Sequence, residues 1–230
     1  MNDSRDAVYI VAAIAAAAMA IAITAFYVVA FFCPVIFRLG TAAERIHYLA
    51  CHVGLFTLAR DITFAWIFVE IPVGVGIYYL VKERDPSRAG IGAPFWFVGI
   101  FCQFVAYSLM FNLIHRIYRG ILNVFVFEIL DSLSFGLEMT GIMFMCAALL
   151  IFGSALIKER GSIKAAGRLF LVIALSCMSG ALLINLSPFL PSPRFFYNLG
   201  MFFYAGVGVL TAIFTCGLLF VIFRRRAIPA

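Results

Sequence analysis

Runs of about twenty or more mostly apolar residues follow one another along this chain, and a helix of roughly that length crosses a bilayer core about 30 Å thick. They lie at about residues 8–32, 62–81, 92–113, 122–157, 168–187 and 195–223. With 65% of the residues hydrophobic and only 12% charged, against about a quarter charged in a soluble domain, no water-soluble surface can be built. The expected class is all-α: a polytopic membrane helix bundle with about six transmembrane helices, residues 1–230 forming a single transmembrane domain.

The first run is expected to be retained as a helix. The leader Met1 to Asp6 holds one Arg and two Asp, and the run behind it is longer than the roughly 7–15 residues of a secretory signal. It is rich in Ala from Ala12 to Ala22 and ends near Cys33-Pro34. Small residues let helix backbones approach closely in lipid, so this helix is expected to pack against protein. Residues Thr41 to Arg60 mix apolar side chains with Glu44, Arg45, His47 and His52. They read as the main part of an interfacial segment, 33–61, rather than as a span. The prolines Pro188, Pro191 and Pro193 mark the turn before the last run.

Charge sets the expected orientation. Arg5, the loops around Lys82–Arg88 and Lys158–Arg168, and Arg224 to Arg226 put eleven basic residues on one side. Arg38, Arg45, Arg60, Arg116, Arg119 and Arg194 put six on the other. The positive-inside rule then places both termini in the cytoplasm and the histidine-bearing segments outside. The net charge of +6 is ordinary for such basic loops, and nothing points to nucleic acid. The six cysteines Cys33, Cys51, Cys102, Cys146, Cys177 and Cys216 are scattered singly with no C-x-x-C. They read as small buried residues rather than as a disulfide framework or zinc site.

Four acids stand inside apolar runs: Glu70, Glu128, Asp131 and Glu138. Each costs about 2.5–3.5 kcal/mol at a bilayer centre on insertion scales, so such residues normally face a protein interior, a cavity or a cofactor. At about 100° per residue, Glu128, Asp131 and Glu138 fall within an 80° sector of one helix, with Ser134 near its edge. The stripe reads as a proton path, an ion site or a cofactor ligand set. It reads also as a buried polar network holding helices together, with Arg60 or Asn185 as partners, and for Glu128 as interfacial solvation. His47 and His52 are five apart and so do not form an i,i+4 metal pair, while His115 ends the third run beside Arg116. Met201 could ligate a haem iron or simply pack.

From Leu58 onward the order of features resembles subunit I of the cytochrome bd quinol oxidases. Leu58-Ala59-Arg60-Asp61-Ile62-Thr63-Phe64 is similar to the family's L-x-R-x-x-F opening, with Glu70 standing where the family has a haem-ligating His, followed by Pro72, Gly74 and Gly76. Phe95-Trp96-Phe97 resembles the opening of the family's second helix. Val126-Phe127-Glu128 and Phe135-Gly136-Leu137-Glu138-Met139-Thr140-Gly141 resemble its third, and Gly180-Ala181-Leu182-Leu183-Ile184-Asn185 its fourth. Glu128 and Glu138 match two family glutamates of the haem and proton-delivery region; Asp131 is extra. The match covers about Leu58 to Pro193, and it lacks the family's second half with its remaining haem ligands and quinol-binding loop.

The resemblance implies a four-helix bundle over 62–190 with the first and last helices flanking it, and the acids of the second and fourth runs facing inward. It implies a multi-pass subunit of a respiratory complex in a prokaryotic plasma membrane, binding b-type haem or quinone and exchanging electrons with partner subunits. Glu70, Glu128 and His115 would then be the iron ligands, Glu138, His52, His47 and Met201 further cofactor-binding residues, and Glu128, Asp131 and Glu138 a proton path. Loss of the His ligand supports a different outcome, a haem-free membrane anchor or proton-conducting subunit. An independent enzyme is disfavoured: no nucleophile with its base, phosphate loop or H-E-x-x-H occurs. An internal repeat of the transporter kind is also missing.

Overall fold

The computed structural model describes residues 3–32, 41–120, 123–192, 195–200, 203 and 217. Among these the chain is helical throughout, with no strand. The helices are α1 (Asp3–Phe32), α2 (Ala42–Cys51), α3 (Val53–Lys82), α4 (Pro86–Tyr118), α5 (Val124–Leu156) and α6 (Gly161–Leu186), followed by a 3-10 turn at Ser187–Phe189. Among the described residues, four stretches are long and apolar enough to cross a membrane: α3, α4, α5, and Ile163–Leu186 of α6. Residues 201 and 202, and most of the last apolar run, lie outside the described residues.

Local chemistry sets the helix ends. Thr41 caps α2 with a capping box: its hydroxyl accepts from Glu44 N, and Thr41 N donates to Glu44 Oε2 at 2.7 Å. Asp85 accepts from Arg88 N ahead of Pro86, which opens α4 where its missing N–H costs nothing. Asn123 accepts from Phe125 N at the start of α5.

The interfacial segment is shorter than the sequence suggests. Only Ala42–Cys51 forms a separate helix; after a break at His52 the residues from Val53 to Arg60 continue directly into α3. Nothing in 53–60 interrupts a helix, and Phe56 and Ala59 are buried. Phe56 packs with Leu113, Ile114 and Ile117 of α4 and Phe127 of α5. Arg60 is accommodated at this end because its guanidinium lies 4.2 Å from the Phe111 ring centroid and donates to Asp61.

Among the described residues the long helices pack mainly in chain order, α1 on α3, α3 on α4, α4 on α5 and α5 on α6, with a smaller contact of α3 on α5. Each of the four middle helices packs on its neighbour in the chain. Small residues explain the closest seams. The Ala-rich stripe of α1 buries Ala12, Ala15 and Ala16 in the core shared with α3, as its composition leads one to expect. On α4 and α5, Gly99 and Gly141 face each other so closely that a Cβ on either would meet the other's carbonyl oxygen, at 2.8 and 2.7 Å. Among the described residues Cys146 is buried as expected, Cys102 and Cys177 are half-buried, and Cys51 is exposed on the outer face of α2, contrary to the buried reading; Cys33 and Cys216 lie outside the described residues.

Candidate functional site

Several polar side chains of α3, α4 and α5 fall along the seam where α4 meets the other two. Near the α2 end, Asp131 is buried and takes Arg45 Nη1 on its Oδ2 at 2.6 Å. One turn on, the Ser134 hydroxyl donates to Ala106 O at 2.9 Å, and beyond it Tyr107 Oη donates to Glu138 Oε1 at 2.8 Å. Deeper still, Gln103 is buried and its Nε2 points at Met145 Sδ.

Glu70 lies at mid-helix in α3 and is 2% exposed. Trp66, one turn earlier, donates its indole N–H to Oε1, while Trp96 of α4 donates to the Glu70 backbone oxygen at 3.3 Å. Oε2 has no hydrogen-bond partner among the described residues. Close packing holds the carboxyl there: a Cβ on Gly74, one turn further along α3, would fall on the Trp96 indole. Trp66 meets Met19 on the other side.

The acids thus share a seam but not a single site. Trp96 and Tyr107 are eleven residues apart on nearly the same face of α4, which separates the levels of Glu70 and Glu138 by about 16 Å at 1.5 Å per residue. Asp131 and Glu138 differ by about 10 Å on the same count.

The stripe on α5 is split by exposure: Asp131 is buried, Glu138 half-buried and Glu128 exposed. Glu128 stands in the first turns of α5. The partners expected for the acids are corrected. Arg60 pairs with Asp61, Asn185 donates to Ala181 O of its own helix, and Arg45 takes the role instead. The reason is geometric: α2 folds back onto α4 and α5 and brings Arg45 to the buried end of the stripe. His115 is exposed at the end of α4, and His47 and His52 are exposed on α2 and the turn after it. Met201 lies outside the described residues.

The placement tests the haem implied by the resemblance. Glu70 Oε2 suits one axial oxygen. The other described ligands do not converge on it: His115 is exposed near the end of α4, His47 and His52 are exposed on α2 and the turn after it, and Glu138 is about 16 Å along the seam. Among the described residues no group of three His, Cys, Asp or Glu side chains gathers into a metal site. Among the described candidate ligands, Glu70 and the three histidines do not come together at one point.

Sequence reasoning passed over Arg45, Tyr107 and Trp66. Trp66 was within reach of it, since a Trp four residues before a mid-span Glu lies on the same helix face. Tyr107 and Arg45 carried no such local signal. Comparison with protein-family models, with curated proteins and with solved structures finds no match.

Proposed function

We propose that this chain is a multi-pass membrane subunit that exchanges protons through the carboxyls along the α3–α4–α5 seam, serving a larger complex. The observation that carries the reading is Glu70: a carboxyl 2% exposed in the middle of a span, with one oxygen held by Trp66 and the other free to take a proton or small cation. Such a residue is costly in lipid and marks a pathway more often than a brace. Asp131, Glu138, Tyr107 and Gln103 add proton-bearing or hydrogen-bonding groups at successive depths between α2 and Glu70. Water would have to bridge the intervals of about 10–16 Å between the carboxyls. In this reading α1 and residues 195–223 complete six spans, and both termini face the cytoplasm of a prokaryotic cell. Lipid and partner subunits cover the apolar outer faces of the helices, with Phe68, Phe101 and Phe104 among the exposed side chains.

A second reading, a cytochrome bd-like electron-transfer subunit with haem or quinone, draws on the order of sequence motifs. It draws also on the free oxygen of Glu70 at the position of the family's ligand. One pair of experiments separates the two. The purified chain is examined by reduced-minus-oxidised visible spectroscopy with haem extraction, then reconstituted in liposomes and driven by an imposed potential. The proton reading expects no stoichiometric haem and a proton flux that Glu70→Gln abolishes. A Soret band at stoichiometric haem replaces it with the electron-transfer reading, and wild-type flux no greater than that of protein-free liposomes sinks proton conduction by this chain.

A further inference from the structure

We propose that His47 and Cys51 on α2 form a binding site for a thiophilic divalent cation such as Zn2+. The two residues stand four apart, one turn along the same helix face, and both are exposed. His47 Nε2 lies 3.9 Å from Cys51 Sγ. With Zn–N bonds of about 2.0 Å and Zn–S bonds of about 2.3 Å, tetrahedral coordination sets nitrogen and sulfur about 3.5 Å apart. A small rotation of either side chain therefore admits the ion without moving the backbone.

The pair fits the ion chemically as well as geometrically. An imidazole and a thiolate are the borderline and soft donors that select zinc-like ions over magnesium or calcium. When the ion binds, the Cys51 S–H bond breaks, its proton leaves to water, and an S–metal bond forms; water fills the remaining coordination positions. The supporting helix is fixed at two points: the Thr41–Glu44 capping box secures its first turn, and the Arg45–Asp131 ion pair ties it to α5. Ala42 and Leu49 on its other side are buried against the bundle, so His47 and Cys51 are turned to the solvent. The site needs neither the seam carboxyls nor the proposed proton exchange.

The test uses the full chain in detergent with Co2+ as the probe. Cobalt bound to thiolate gives a near-ultraviolet sulfur-to-metal charge-transfer band, and Zn2+ should displace it. Wild type should show the band. Cys51→Ser should lose it, while the other five cysteines remain in place as internal controls. His47→Ala should weaken binding by about tenfold or more. Circular dichroism checks that both variants, altered only on an exposed face, keep their helix content. Absence of the band in wild type, its persistence in Cys51→Ser, or unchanged affinity in His47→Ala would each overturn the proposal.

Discussion

Arg45 Nη1 donates to Asp131 Oδ2 at 2.6 Å, across 86 residues of sequence, and so fastens the short helix α2 to the buried face of α5. The guanidinium also lies 5.1 Å from the Phe127 ring centroid, which shields the pair from water. Removing one member of such a pair leaves a desolvated charge, whereas removing both leaves apolar surface. Asp131→Ala is therefore expected to cost about 3 kcal/mol of stability. Arg45→Met combined with Asp131→Leu should recover most of it. Thermal unfolding in detergent, arranged as a double-mutant cycle, measures the coupling; additive single effects would show that the pair does not hold α2 in place.

The Gly99–Gly141 contact makes a second expectation. With each glycine's Cβ position occupied by the other's carbonyl oxygen, a side chain there must push α4 and α5 apart along their whole seam. Gly141→Val should destabilise by about 1–3 kcal/mol or more. Because Tyr107–Glu138 and Ser134–Ala106 span the same seam, their hydrogen bonds should weaken with it. Faster amide exchange in both helices would be the sign. Exchange confined to the substituted turn would mean that the seam is locally compliant.

The presence and type of the helices were legible from the sequence because a span is a local property: twenty apolar residues in a row declare themselves whatever their neighbours do. The buried Ala stripe of α1 was legible for the same reason. What escaped was long-range. The interfacial reading of 41–60 rested on Glu44, Arg45, His47 and His52, while the mostly apolar Val53–Arg60 continues into α3, with Phe56 in the cluster with Leu113 and Phe127 and Arg60 over the Phe111 ring. The 80° sector of α5 acids was visible, but which edge of it is wet depends on where α2 lands, and Glu128 and Asp131 part company on that point.

Acidity should loosen the start of α2. Hydrogen bonds from the Thr41 backbone and hydroxyl hold the Glu44 carboxyl below its ordinary value of 4.5. A group whose folded value is depressed contributes stability above the unfolded value, and that contribution is lost as pH falls through the folded one. Amide exchange at Glu44 and Arg45 should therefore accelerate as pH drops below about 4.5 once the intrinsic pH dependence is divided out. In Glu44→Gln that acceleration should be absent. A wild-type profile indistinguishable from the glutamine variant would count against the capping box.

Glu70 joins stability to function most directly. Its Oε2 is buried with no partner among the described residues, and an unsatisfied buried polar atom costs about 1–3 kcal/mol. Glu70→Met, which fills much the same volume without the carboxyl, removes that cost but leaves the Trp66 N–H without its acceptor. Pairing it with Trp66→Phe removes the orphaned donor as well. The double variant is expected to be more stable than wild type by about 1 kcal/mol and to carry no proton flux in liposomes. Gain of stability with loss of flux is the pattern expected where a chain keeps an unfavourable group for its chemistry. If stability falls and flux persists, Glu70 is a brace between α3 and α4, and the pathway must be sought at Asp131 and Glu138.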